Sequence, residues 1–409
     1  MIYTKSCLIK KLTFVLFISI LSAGNCFADD WKSQIIDQLN TGSINVQDPS
    51  GNTVLSHNEN KLMVPASILK IATADAILSN LGENFHIQTD FYLTEDNYLG
   101  IKGFGDPTLV SESLSLIAKQ LKKQLELQSN TMLKGFWLDT SYFKSRLNIH
   151  GQSNSNNPYD SSVGALVANY NTIHIYKSKS GKISSAEPQT PLTPTAVLLA
   201  KKLSPGKHRV NIGKNNKLAL RYFSELLQFF LKKEGIDIPV NIVNKAIPVN
   251  SKKLIVHHSQ PVSEIIRSLF SYSNNLIANQ LLIILGGIKM GEPADLDKGK
   301  QILTEFLLNI IGINNFTMEE GSGLSRRNQF SANQIMSVLL HFKPYQYLLR
   351  VDNDHFQAKT GTLKGVSTYA GYMISPDGGS YPFVIMLNET RRWNERNKLA
   401  NIMYKGLFK

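Results

Sequence analysis

A serine and a lysine three positions apart, Ser67-Ile68-Leu69-Lys70, open an apolar run that continues Ile71-Ala72-Thr73-Ala74-Asp75-Ala76-Ile77-Leu78. On a helix these two side chains share a face. A serine hydroxyl is a poor nucleophile at neutral pH, and a neutral amine beside it can take its proton. The chemistry this suggests is acyl transfer through a serine with a lysine base. The spacing alone is weak evidence, because Ser141-Tyr142-Phe143-Lys144 and Ser204-Pro205-Gly206-Lys207 repeat it. Neither of those opens an apolar helix, so both read as loop or surface residues. Taken by itself, Ser67 too would be an ordinary helix start.

Three further segments bear on the choice. Ser271-Tyr272-Ser273-Asn274-Asn275-Leu276-Ile277-Ala278 places a hydroxyl (Ser273) and an amide (Asn275) just before an apolar helix. Ser-x-Asn is nearly uninformative alone, since Ser43, Ser56, Ser155 and Ser331 begin others. Lys359-Thr360-Gly361-Thr362 occurs once and leads into a strand pair. Its glycine allows a close approach of backbone and ligand. Glu319-Glu320-Gly321-Ser322-Gly323-Leu324-Ser325-Arg326 could be a flexible turn with a structural arginine, or part of the same site.

The elements that must position these residues can be read coarsely. Strands flank the turn signal Asp48-Pro49-Ser50-Gly51-Asn52, and a helix is expected from about Ser67 to Ser79. From Phe85 the character changes to strands near 86–93 and 98–103, an amphipathic helix over Ser111–Leu127, and polar or low-complexity stretches at 151–158 and 177–194. Helical patterns return at Ser263–Phe270, Leu276–Leu285, Thr304–Ile311 and Ala332–Phe342. Strands follow at Thr368–Ile374 and Tyr381–Leu387, and a closing helix from Trp393 to Leu407. The pattern is an α+β domain, residues 29–85 and 253–409, split by a largely β insertion over residues 86–252.

Residues 1–28 read as a signal peptide: Lys5, Lys10 and Lys11, a short apolar core from Leu12 to Leu21, and a small-residue cleavage site at Cys26-Phe27-Ala28. That core is shorter than the roughly 20 residues a bilayer demands. The expectation is an exported, periplasmic protein. Both cysteines, Cys7 and Cys26, fall in the signal, so the remainder offers no disulfide, thiolate metal site or cysteine nucleophile. The chain carries +13, and loss of the three signal lysines leaves +10. Such a protein is drawn to anionic surfaces, either cell-wall polymer or lipid headgroups. The export signal and the lack of basic runs interleaved with aromatics argue against nucleic acid. Asp106, in Gly105-Asp106-Pro107, reads as a turn former, and His257-His258 as exposed histidines without a third metal ligand.

Ser-x-x-Lys, Ser-x-Asn and Lys-Thr-Gly in that order are the motif set of penicillin-binding proteins and class A β-lactamases. Within that superfamily the chain resembles the class C low-molecular-mass penicillin-binding proteins, the serine-type D-alanyl-D-alanine carboxypeptidases/endopeptidases. The resemblance rests on Pro65-Ala66-Ser67-x-x-Lys70, Gly105-Asp106-Pro107-Thr108-Leu109, Gly321-Ser322-Gly323-Leu324-Ser325-Arg326 and Lys359-Thr360-Gly361-Thr362-Leu363-x-Gly365-Val366. It also rests on the 206 residues from Ser67 to Ser273, an insertion that β-lactamases lack. Two departures are Asn279, where the family often has an acid, and a somewhat short insertion.

The resemblance implies a penicillin-binding/β-lactamase-like transpeptidase domain, an antiparallel sheet with helices, and a role for each residue. Ser67 attacks the carbonyl of the penultimate D-alanine of a peptidoglycan stem peptide, and Lys70 is its base. Burial and the Lys359 cation are expected to lower the Lys70 pKa. Ser273 relays a proton to the leaving D-alanine, and Asn275 holds Lys70 and the substrate amide. Lys359 and Thr360 bind the terminal carboxylate. Gly361 belongs to the same strand, and the N–H groups of Ser67 and Thr362 form an oxyanion hole. No metal or organic cofactor is called for. A pocket for the side chain of the stem-peptide diamino acid is assigned to Arg326, Leu363 and, from the insertion, Asp139. β-Lactam antibiotics are the expected inhibitors. The competing readings are a non-catalytic wall-binding relative and a hydrolase of esters or β-lactams on the same fold.

Overall fold

The computed structural model describes residues 30–128, 132–212, 215–388 and 394–408. The signal segment and Trp393, where the closing helix was expected to begin, lie outside these described residues.

The active-site unit is built on a six-stranded antiparallel sheet of order β11-β12-β13-β14-β1-β2. Its strands are β1 (Ser43–Gln47), β2 (Thr53–His57), β11 (Val351–Asp352), β12 (Phe356–Leu363), β13 (Val366–Ile374) and β14 (Ser380–Leu387). β13 and β14 are apolar at nearly every position because both faces of the sheet are covered. Tyr369, Met373, Phe383, Ile385 and Leu387 pack with α1 (Asp30–Leu39) and the closing helix α10 (Glu395–Phe408). Their neighbours Ala370, Tyr372, Val384 and Met386 pack on the opposite face. That face carries α2 (Leu69–Leu81), α6 (Val262–Tyr272), α7 (Asn275–Met290), α8 (Leu296–Asn309) and α9 (Ala332–Phe342). α2 and α7 are buried almost all round, as their uniformly apolar sequences require.

The insertion has its own core. A five-stranded sheet of order β10-β3-β4-β5-β9 combines β3 (Gln88–Leu93), β4 (Tyr98–Gly103), β5 (Gly135–Asp139), β9 (Ile242–Asn244) and β10 (Lys252–His258). A three-stranded sheet pairs β7 (Ile183–Ser185) and β8 (Gly206–Asn211) with a central β6 (Thr172–Lys177). Three helices accompany them: α3 (Ser111–Glu126), α4 (Pro194–Ala200) and α5 (Asn216–Lys233). The α3 stripe Leu114, Ile117, Leu121 and Leu125 packs with Tyr222, Phe223 and Leu226 of α5. β10 pairs antiparallel along β3, from Lys252–Leu93 to His258–Gln88, and the chain then enters α6.

The two units are joined by more than the chain crossings. Gln280 of α7 donates to Gly105 O at 2.7 Å and Gly164 O at 2.6 Å. It also accepts from Gly164 N at 3.2 Å. Tyr142, Phe143, Ile149 and Ala165 of the insertion contribute to the active-site unit's core.

Candidate active site

The chain turns into α2 through a 3-10 turn, Ala66–Ile68, which carries Ser67. Ala66 has φ 48°, in the left-handed region that an alanine adopts only under constraint. The constraint is visible on two sides. Thr368 Oγ1 donates to Pro65 O at 2.8 Å. Gly323 lies so close that a Cβ there would stand 1.9 Å from Ala66 O. Gly361 makes the same kind of approach, and a Cβ there would meet Ser67 N at 2.8 Å. The glycines of two separate motifs thus close on the backbone at Ala66 and Ser67.

Lys70 follows one turn later and is fully buried. Its Nζ lies 3.0 Å from Ser67 Oγ, 2.8 Å from Asn275 Oδ1 and 2.6 Å from Ser322 O. Asn275 Oδ1 and Ser322 O can only accept. A neutral amine has two N–H donors and one lone pair, so donating to these two leaves the lone pair for the Ser67 hydroxyl. Burial lowers the Lys70 pKa to about 7, opposed by the Glu320 carboxylate. The sequence suggested that Lys359 would share in this. Burial is instead the dominant cause, and repulsion between the two lysines, after burial, lowers Lys359 well below its ordinary value.

Asn275 opens α7, where Asn274 caps the helix by accepting from Leu276 N and Ile277 N. Ser273 ends α6 in the left-handed conformation, φ 51°. The short turn between the two helices therefore fixes both residues of the Ser-x-Asn motif. Asn275 Nδ2 donates to Tyr159 O at 3.2 Å, so the insertion touches this wall of the site.

Lys359, Thr360, Gly361, Thr362 and Leu363 lie along β12. Lys359 is buried, and its Nζ donates to Thr360 O at 2.7 Å. Sequence reasoning missed Arg396 of α10. It donates from beneath the strand to Gly361 O and, at 2.8 Å, to Thr362 Oγ1. Glu320, immediately before Gly321, is a hub. Its buried carboxylate accepts from Ser322 N at 2.7 Å, Asn279 Nδ2 at 3.0 Å, Asn328 Nδ2 at 2.9 Å and Ser325 N at 3.2 Å. Asn279 Oδ1 accepts from Gly321 N at 2.8 Å. Asn279 thus holds the Gly-Ser-Gly loop in place with an amide, which a carboxylate facing Glu320 could not do without repulsion. An acid immediately before Gly321-Ser322-Gly323 was the sequence signal that could have found Glu320.

Arg326 donates to Lys364 O, next in the chain to Leu363. Asp139 ends β5 in the insertion. Its Oδ1 accepts from Ser141 N at 2.9 Å and Ser141 Oγ at 2.6 Å, and its Oδ2 accepts from Ile247 N at 3.0 Å. It closes a turn after β5 and is buried there. Asp106 is a turn former, its Oδ1 accepting from Thr108 N and Oγ1 at 2.7 and 2.6 Å. His257 differs from expectation: it is half-buried, with Nε2 at 3.8 Å from Asp106 Oδ2. Among the described residues no group of three or more His, Cys, Asp or Glu side chains is placed to hold a metal ion.

A cavity of about 600 Å³ opens on the Ser273–Asn275 wall and runs between the active-site unit and the insertion.

The D-Ala-D-Ala carboxypeptidase 3 (S13) family model matches residues 32–204, 199–348 and 350–405. The chain is 27% identical to the D-alanyl-D-alanine carboxypeptidase DacB of Haemophilus influenzae over 191 residues, 41% of this chain and 40% of that protein. It is 20% identical to penicillin-sensitive carboxypeptidase A of Dictyostelium discoideum over 438 aligned positions, 87% of this chain and 81% of that one. The fold is similar to the crystal structure of penicillin binding protein 4 (dacB) from Haemophilus influenzae, with TM-score 0.74 and 21% identity over 91% of this chain and 99% of that one. The family match covers both parts of the active-site unit, the insertion between them and every motif that converges on Ser67, and the chain belongs to the D-Ala-D-Ala carboxypeptidase 3 (S13) family.

Proposed function

We propose that this chain is a serine D-Ala-D-Ala carboxypeptidase that acts on peptidoglycan stem peptides through an acyl-enzyme. The same chemistry cleaves peptide cross-links when the leaving amine belongs to a second peptide. The observation that carries the reading is the contact set of Lys70: two acceptors, the Ser67 hydroxyl, and a pKa brought to about 7 by burial. Lys70 takes the Ser67 proton as Oγ attacks the carbonyl carbon of the penultimate D-alanine. The N–H groups of Ser67 and Thr362 receive the developing oxyanion, and loss of one such donor costs about 10²–10³ in rate. Ser273 passes a proton to the departing amine. Lys359 and Thr360 hold the terminal carboxylate. Water then cleaves the Oγ–acyl bond and the proton returns to Ser67.

Arg326 and Leu363, with Asp139 from the insertion, are the candidates for the diamino-acid subsite. The domain division that fits the sheets is residues 29–85 and 259–409 around an insertion at 86–258. Residues 1–28 direct export, the protein works in the periplasm, and its positive charge favours association with cell wall or membrane surface. β-Lactams acylate Ser67.

The reading is tested by D-alanine release from a stem pentapeptide. The intact enzyme is expected to release it and Ser67→Ala to release none. Release that survives Ser67→Ala would overturn the assignment.

A further inference from the structure

The chain's positive charge lies in one part of it. Residues 86–258 hold 22 Lys and Arg against 12 Asp and Glu, a net charge of +10. Residues 29–85 and 259–409 together hold 19 of each and are neutral. The insertion therefore carries all the charge that remains beyond the signal segment. Attraction to an anionic surface acts on the insertion and not on the unit that holds Ser67.

Within the insertion the fold gathers lysines at one end of the three-stranded sheet. Lys179 and Lys182 lie in the β6–β7 hairpin, where Ser178 N donates to Lys182 O at 2.9 Å. Lys207 lies in β8, directly opposite Tyr176 of β6. Lys201 and Lys202 follow α4. Lys177 ties that helix end to the same place, its Nζ donating to Ala200 O at 3.2 Å, Lys201 O at 3.3 Å and Leu203 O at 2.8 Å. Lys177 is therefore structural, and the other five are exposed. Between residues 161 and 224 the sequence has one acid, Glu187. It lies beside His174, 3.3 Å from Nδ1, and lines the cavity rather than the lysine end. Two large apolar side chains stand exposed among the lysines. Tyr176 is 42% exposed, and Leu198, near the end of α4, is 55% exposed.

We infer that this lysine tip is the surface by which the protein attaches to a membrane bearing anionic lipid headgroups. The inference rests on the surface association proposed above and narrows it to one place and one partner; it does not use the acyl-enzyme chemistry. A cluster of four to eight basic side chains is of the size that attracts headgroup phosphates. A wall polymer would answer the lysines but not Tyr176 and Leu198, whereas a lipid interface offers apolar depth below its headgroups. An orientation follows. Thr172 and His174, toward the other end of β6, line the cavity beside Ser273. From Thr172 to Lys177 the strand rises about 17 Å, at roughly 3.3 Å per residue. The tip meets the lipid, and the neutral unit with Ser67 is held away from it.

The test is sedimentation of the chain from Asp29, which lacks the apolar signal, with vesicles of phosphatidylglycerol and phosphatidylcholine in equal parts. Vesicles of phosphatidylcholine alone and purified sacculi are the comparisons. One variant replaces Lys179, Lys182, Lys201 and Lys202 with Gln. A second replaces Lys289, Lys343, Lys398 and Lys405 with Gln, which removes the same charge from exposed positions of the active-site unit. The intact chain is expected to bind the mixed vesicles and to be released by salt. The tip variant should bind them at least about tenfold more weakly, and the second variant less than threefold more weakly. Tyr176→Ser with Leu198→Ser should weaken the binding that persists at high salt. D-Alanine release from a soluble pentapeptide should stay within twofold in every variant, which shows that each is folded. Equal loss in the two lysine variants overturns the tip, because net charge alone then explains the binding. Equal binding to phosphatidylcholine alone overturns the role of the headgroups. Binding to sacculi with none to vesicles overturns the lipid in favour of a wall polymer. An intact chain that binds vesicles but releases no D-alanine overturns the enzymatic reading instead and leaves the tip standing.

Discussion

At the scale of single residues, the protonation of Lys70 governs the account. Its pKa of about 7 follows from burial, with Glu320 opposing. The base is needed neutral, so acylation rises with pH and reaches half its plateau near pH 7. Lys359 must stay charged to hold a carboxylate, and its pKa is also lowered, so the rate declines again below the pH at which an ordinary lysine titrates. Stopped-flow acylation by a fluorescent penicillin between pH 5 and 10 is expected to trace this bell. A profile flat from pH 6 to 8 would show that Lys70 is not the titrating base. Lys70→Met should lower acylation by about 10²–10⁴, the range for loss of a general base.

At the scale of elements, the site is where three chain segments converge on the first turn of α2. Gly323 is the sharpest case, because a Cβ there would collide with Ala66 O at 1.9 Å. Gly181 also has positive φ but has nothing within 4 Å. Gly181→Ala should therefore cost only the left-handed penalty, about 1–2 kcal/mol. Gly323→Ala should cost more and should slow acylation as well. Chemical denaturation with penicillin kinetics checks both, and equal stability with equal rates would contradict the role given to Gly323.

The motifs were legible because each combines a reactive side chain with a backbone requirement, and both leave a mark in sequence. Ser67 was separable from Ser141 and Ser204 by the apolar helix after it. In the fold, Ser141 is spent on Asp139, and Lys144 faces Asp295 at 3.5 Å. Asp139 shows what sequence leaves open, since only the fold shows that its carboxylate accepts from Ser141 and from Ile247 N. Arg396 left no local signal: its role exists only because α10 packs beneath β12. The partner of β10 was equally hidden, since register with β3 is a tertiary choice.

At the scale of the molecule, a sheet-and-helix unit supplies the chemistry, and an insertion with its own core supplies one wall. Gln280 and the Asn275–Tyr159 contact join them along α7. The insertion thus meets the active-site unit at Asn275, whose Oδ1 accepts from Lys70. The central claim is that this assembly makes Ser67 an acylating nucleophile. The most direct measurement is the mass of the intact protein after incubation with penicillin, with the adduct located by peptide mapping. The account predicts one penicilloyl group per chain, on Ser67, and none in Ser67→Ala. An unmodified protein, or an adduct retained in Ser67→Ala, would contradict it.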